Sequence, residues 1–127
     1  MTRAIADTSI FVAQESGRGL GSLPDEIAVS VVTAAELELG VLRASEPTTR
    51  ALRLATLSRV QSTYSLLPVD PETASCFARL ADAALTEGRK LRRHDTWIAA
   101  TALRHHAAVV TQDKDFSKFE TVEVILI

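Results

Sequence analysis

Ala4-Ile5-Ala6-Asp7-Thr8-Ser9-Ile10-Phe11-Val12 places one carboxylate and two hydroxyls between two apolar runs. The first run reads as a short strand and Asp7 as the residue that ends it, in position to cap a following helix. The same alternation continues downstream. Candidate strands at Ala4 to Ala6, Ile27 to Ser30, Ser65 to Val69, Ala107 to Thr111 and Val122 to Ile127 are separated by longer helical stretches. That order predicts an α/β domain with a mostly parallel central sheet flanked by helices, a three-layer α/β/α arrangement.

The 127 residues are the size of one domain, so 1–127 is read as a single unit. A composition of 46% hydrophobic and 24% charged residues, with net charge -2, argues against disordered, collagen-like and membrane classes. Cys76 is alone and has no internal disulfide partner. No apolar stretch approaches the ~20 residues that span a bilayer, and no signal-peptide pattern precedes the first strand. A cytoplasmic protein without a membrane partner is expected. Gly17 to Pro24 carries three glycines at spacings unlike a phosphate-binding loop and reads as a flexible connection.

Helix starts are written in the side chains. Thr33-Ala34-Ala35-Glu36 fits a capping box, and Asp70-Pro71-Glu72 places a cap residue before a proline at the first helical position. A helix from about Thr48 to Thr63 follows Glu46-Pro47 and would form a helical hairpin with its predecessor. Its apolar residues Ala51, Leu52, Leu54, Ala55, Leu57 and Val60 go round most of the helical wheel. One core-facing stripe requires less, so a second face covered by a partner is expected.

Four acids stand out: Asp7 after the first strand, Glu36 opening the second helix, Asp95 heading Thr96 to Leu103, and Asp113 after Val109-Val110-Thr111. Each has a structural reading as a cap, a capping-box member, a dipole partner or a turn residue. Their joint placement adds another. In an open α/β sheet the ligand crevice lies outside the carboxyl ends of the strands, where all four would converge. Asp95 shares a helix face with Ile98, Ala99 and Ala102 and so points along the sheet.

Carboxylates gathered in this way repel one another and resist desolvation, a conflict that a hard divalent cation resolves. Mg²⁺ or Mn²⁺ at such a site suits phosphodiester hydrolysis, with a carboxylate left to orient the attacking water. The basic residues Arg89, Lys90, Arg92 and Arg93 run into Asp95 and would bring a nucleic-acid backbone to the metal; as a structural feature they read as a solvated loop. His94, His105 and His106 have no zinc-like spacing with Cys76 and read as surface residues. Phe11 and Trp97 read as core residues.

Asp7-Thr8-Ser9, Thr33-Ala34-Ala35-Glu36-Leu37 with Gly40, Asp95-Thr96-Trp97-Ile98-Ala99-Ala100-Thr101-Ala102 and Thr111-Gln112-Asp113-Lys114-Asp115-Phe116, in this order, resemble the PIN-domain family. More narrowly, they resemble the VapC toxins of bacterial type II toxin-antitoxin systems. The resemblance covers essentially the whole chain. It implies a Mg²⁺- or Mn²⁺-dependent endoribonuclease acting on tRNA, rRNA or mRNA and inhibited by a cognate VapB-type antitoxin. It also implies a homodimer, and operator DNA binding only through the antitoxin.

By motif position, Asp7, Glu36, Asp95 and Asp113 match the family's acidic quartet, with Asp7 and Asp95 the leading metal ligands. Asp115 is auxiliary, and Thr8, Ser9 and Thr111 are expected to orient the carboxylates by hydrogen bonds. Two alternatives stay open: a non-catalytic RNA-binding or protein-interaction module on the same fold, and a DNA nuclease using the same metal chemistry.

Overall fold

Along β1 (Arg3–Ala6) the side chains alternate, Ile5 entering one buried cluster and Ala4 and Ala6 another on the opposite face. A strand buried on both faces must lie inside a sheet covered on both sides. The computed structural model, which describes residues 3–127, shows this arrangement. Helix α1 (Thr8–Glu15) follows β1, and β2 (Glu26–Ser30) runs directly into α2 (Val31–Arg43). Then come α3 (Pro47–Thr63), β3 (Ser65–Leu67), α4 (Pro71–Thr86), α5 (Arg93–Arg104) and β4 (Ala108–Thr111). A short 3-10 helix, Lys114–Lys118, leads to β5 (Val124–Leu126).

The five strands form one parallel sheet in the order β3-β2-β1-β4-β5. β1 pairs Ala4 with Ile27 on one side and with Ala108 on the other. Ile5, Val109, Ile98, Ala99 and Leu80 build the cluster beneath α4 and α5. Ile10, Phe11, Val29, Val60 and Val110 build the one beneath α1 and α3. The chain leaves β1 for β2 and returns to β1's other edge only with β4. The order therefore reverses at β1, and a crevice opens at the carboxyl ends of β1 and β4.

The strands fall where expected, with β3 and β5 shorter. Two helix starts differ from the sequence reading. α2 begins at Val31 with Ser30 as its cap, the Ser30 hydroxyl accepting from the Val32 N–H at 3.0 Å. The capping box at Thr33 to Glu36 therefore does not form. Since β2 enters the helix with no loop, the first polar side chain it meets takes the cap, and Thr33 and Glu36 are left for other partners.

Helix α5 starts at Arg93, with Arg92 in the cap position making no side-chain cap bond. Cations at a helix N-terminus oppose its dipole. Local preference therefore does not account for Arg92, Arg93 and His94 here, whereas Asp95 in the same turn suits the dipole.

α4 starts as read. Asp70 accepts from the Thr73 N–H at 2.8 Å, which with the Thr73 hydroxyl and Arg104 holds its carboxyl below the usual range, and Pro71 follows it. The helix stops at Gly88, whose φ of 72° suits a residue without a side chain.

In α3 only Thr56, Leu57 and Val60 are buried. Leu52 and Leu54 stay about half exposed, as do Leu39 and Leu42 on α2, so the hairpin has an apolar outer side as well as a core side. Phe11 is buried, and Trp97 stacks on Phe77 with ring centroids 3.9 Å apart. Both rings are committed to packing. His94 and His106 are exposed, while His105 is half-buried, its Nε2 covered and without a hydrogen-bond partner among the described residues.

Candidate functional site

Asp7 sits where β1 ends and α1 begins, and it is only 5% exposed. Its Oδ2 accepts from the Ser9 N–H at 3.3 Å and from the Thr111 hydroxyl at 2.9 Å. The second bond joins the ends of the adjacent strands β1 and β4, 104 residues apart in the chain. Because Thr111 has one proton and directs it to Asp7, its oxygen is left to accept. It does so from the Asp113 N–H at 2.9 Å and stands 3.2 Å from the Ser9 hydroxyl, which is therefore the donor of that pair. The Ser9 oxygen in turn accepts from the Gln112 N–H at 3.0 Å. These bonds fix the Asp7 carboxylate in one orientation.

The other acids arrive from three separate elements. Glu36, on α2, accepts from the Thr8 hydroxyl at 2.8 Å, and the same hydroxyl lies 3.2 Å from that of buried Thr33. The second Glu36 oxygen lies 3.4 Å from His94 Nδ1. Asp113 caps the 3-10 helix, its Oδ1 accepting from the Asp115 N–H at 2.9 Å.

Asp95, in the first turn of α5, makes no hydrogen bond to a hydroxyl or backbone N–H among the described residues. Its carboxyl is pushed up to about 6, mainly by burial and then by the negative charge of Asp7, with Asp113 and Glu36 adding to it and Arg92 opposing. That ordering places all four acids within electrostatic reach of one another. The excess of negative charge falls on Asp95.

Arg92 supplies the one strong compensation. Its Nη1 lies 3.5 Å from Asp95 Oδ2 and 3.6 Å from Asp113 Oδ2, and it also pairs with Asp115. A single guanidinium thus bridges three carboxylates, two of them in the quartet. Two cavities meet at this side chain. One, of about 390 Å³, is lined by Glu36, Asp95, Lys90, Arg92, Arg93 and His94. The other, of about 380 Å³, lies on the Asp115 side.

The geometry brings together Asp7, Glu36, Asp95, Asp113 and Asp115, with the Thr8 and Thr111 hydroxyls bonded to carboxylates, while Ser9 reaches Asp7 through its backbone N–H and gives its hydroxyl to Thr111. Arg89, Lys90 and Arg92 lie in the segment between α4 and α5 and line one cavity, whereas Arg93 is already helical. Arg92 holds the cap position of α5, while Arg89 faces only the second cavity. His94 stands beside Glu36, and Thr33 is linked to it through the Thr8 hydroxyl. The signal for Thr33 lies inside the Thr33 to Glu36 motif, whose spacing predicts a capping box.

An all-carboxylate donor set with one member short of neutralising charge fits a hard divalent cation. Among the described residues no three acid, imidazole or thiol groups stand together as a ready-made cage. Mg²⁺ does not require one, since it is typically held by one or two carboxylates and its own waters.

The PIN-domain family model matches residues 4–122. The chain belongs to the PIN-domain family. Within it, the similarity is to VapC proteins. Ribonuclease VapC5 of Mycobacterium tuberculosis is 45% identical over 95% of this chain and 93% of its own length. Ribonuclease VapC4 of the same organism is 41% identical over 98% of this chain and 97% of its own. The crystal structure of VapBC-5, a member of the VapBC family of toxin-antitoxin systems from M. tuberculosis, superposes with a TM-score of 0.87 at 41% identity, covering all of both chains.

Proposed function

We infer that this chain is a VapC-type ribonuclease toxin whose whole length acts as one PIN domain, hydrolysing RNA phosphodiester bonds until a VapB-type antitoxin inhibits it. The observation that carries this is the convergence of Asp7, Glu36, Asp95 and Asp113 on the crevice where the sheet order reverses. Similarity to named VapC ribonucleases supports it at up to 45% identity. Metal dependence is part of the proposal. Bound there, Mg²⁺ or Mn²⁺ would neutralise phosphoryl charge and lower the pKa of water.

Asp7 and Asp95 would hold the ion, and Glu36 and Asp113 would complete the set or orient the attacking water. Asp7 is held rigid by its bonds to Ser9 and Thr111, so no reorganisation is needed when charge develops. Asp95, kept short of counter-charge, has the most to gain from a cation. Asp115 anchors Arg92 at the rim, with Arg93 and Lys90 lining the approach. The exposed leucines of α2 and α3 support a face covered by a partner, either the antitoxin or a second copy in a homodimer. Operator binding through the antitoxin and a cytoplasmic setting follow from the same reading.

The test is cleavage of a small-RNA pool by purified protein with Mg²⁺, with Mn²⁺ and with EDTA, beside a folded Asp7→Asn variant. Discrete fragments that need metal and vanish in the variant are expected. A folded wild type that cuts no RNA under any metal, yet binds RNA or a protein partner equally well with Asn at position 7, would favour the non-catalytic module.

A further inference from the structure

The second cavity beside the acid site is basic in an otherwise slightly acidic protein. Arg89, Lys90, Arg92 and Lys118 line it, with Asp115 the one acid among its walls. Four cations stand against one anion among its walls, with Glu87, Asp95 and Asp113 within ion-pair distance of Arg89 and Arg92 from outside them. Three elements supply these cations. Arg89 and Lys90 follow the Gly88 stop of α4, Arg92 caps α5, and Lys118 ends the 3-10 helix.

The ion pairs leave Lys90 and Lys118 as the cations with most charge to offer an incoming anion. Asp115 is shared between Arg92 and Lys118, with Lys118 Nζ at 3.4 Å from its Oδ1. Arg89 pairs with Glu87 at 2.8 Å, and Lys90 has no ion-pair partner among the described residues. The Lys118 side chain is 61% exposed, so its ammonium group is open to an incoming anion. A volume of about 380 Å³ lies within the range of small-molecule sites, which begin at about 300 Å³, and accommodates a group the size of a nucleotide.

Position decides what the anion is. Arg92 is at once a wall of this cavity and a bridge to Asp95 and Asp113, and with Lys90 it lines both cavities, so the basic one adjoins the acids directly. A strand with one phosphate at the acids carries its next phosphate one sugar further on.

We propose that the basic cavity is a subsite for the RNA phosphate flanking the scissile one, with Lys118, Arg89 and Lys90 as its cations. This rests on the ribonuclease reading and deepens it. Lys118 touches none of the four quartet acids. Its role is to hold the strand in register, which is a binding contribution and leaves the chemical step alone.

The experiment measures KM and kcat on a fluorescent RNA at several salt concentrations for wild type, Lys118→Ala, Lys118→Glu and Lys118→Arg. RNA affinity is measured in parallel in an Asp7→Asn background, where nothing is cut. Expected are a rise in KM and Kd of about tenfold for Lys118→Glu, smaller for Lys118→Ala, and kcat within about twofold of wild type. The salt slope of binding should fall by about 0.7 for the lost single-strand contact, and Lys118→Arg should restore both.

Wild type that cleaves RNA while the Lys118 variants keep its KM and salt slope would sink the subsite and leave the ribonuclease standing. Unchanged RNA binding with weakened antitoxin association would assign the cavity to a protein partner and overturn the proposal. Wild type that neither binds nor cuts RNA would remove the ribonuclease reading and this one with it.

Discussion

The two walls of the acid site are built on opposite principles. On the strand side, the Asp7 carboxylate and the Asp113 backbone N–H both bond Thr111, itself fully buried, and the Asp113 carboxylate accepts from the Asp115 N–H. On the helix side, Asp95 lacks such donors and relies on Arg92 at 3.5 Å, with burial and three like charges against it. One wall is satisfied and rigid, while the other is left in electrostatic deficit. Enzymes that must bind a cation tightly need both: a fixed frame, and a place where positive charge is worth more than in water.

The sharpest way to break this contrast is Asp95→Asn. If the deficit serves a cation, the variant should lose cleavage at least about 100-fold, as expected when a charged group at a metal site is removed. It should also fold more stably without metal, by about 1–2 kcal/mol at pH 7 after allowance for solvent screening. Calorimetry or urea unfolding in EDTA measures the second effect, and a destabilised variant would show that Asp95 is a structural anchor.

Thr111→Val probes the other wall. It keeps the shape but removes the shared hydroxyl, leaving Asp7 and the Asp113 N–H each one partner short. A loss of about 1–3 kcal/mol in stability is expected. Cleavage should fall about tenfold, since positioning of Asp7 is degraded and not abolished. A variant equal to wild type in both assays would remove the rigid frame.

A pH titration of unfolding in EDTA separates the walls without mutation. Asp95 titrates at about 6 in the fold against 3.8 in the unfolded chain. Between those values the folded state binds more protons, so stability from this group should decline as pH rises from about 4 to about 6. Saturating Mg²⁺ should flatten the decline, and a profile unaffected by metal would argue that the ion does not reach Asp95.

The smallest effect is expected at the rim. His94→Ala, which removes a 63% exposed partner of Glu36, should alter stability by no more than about 0.5 kcal/mol in thermal melts.

Much of this was legible in the chain. The strands announced themselves because segments buried on both faces carry unbroken apolar runs, as Ala108 to Val110 do. Asp7, Asp95 and Asp113 were legible because they stand at strand ends or a helix start, which the parallel topology brings to one edge, while Glu36 reaches the same edge from the second turn of α2 and not from its opening. Thr8, Ser9 and Thr111 were legible as hydroxyls beside those acids.

Arg92 as a bridge was not, since its contact with Asp113 and Asp115 depends on how α5 docks against the end of β4. Nor was the start of α2. The Thr33 motif looked like a cap because spacing alone does not reveal that Ser30 had already taken the role. Lys118 showed nothing in sequence, being one cation among fourteen Lys and Arg until the fold set it beside Arg89.

The strand order also bears on synthesis. β1 precedes the other four strands along the chain and is the central one in the sheet, yet its second neighbour, β4, begins at Ala108. The bond from Thr111 to Asp7 closes a separation of 104 residues. While the ribosome is still extending the chain, the first acid is present but has neither its neighbouring strand nor the hydroxyl that aims it. At about 5–20 residues per second, the chain spends seconds in that condition. Folding dominated by such distant pairings is slow in itself. In a nascent chain the Asp7 carboxylate therefore stays unaimed until the β4 segment has emerged.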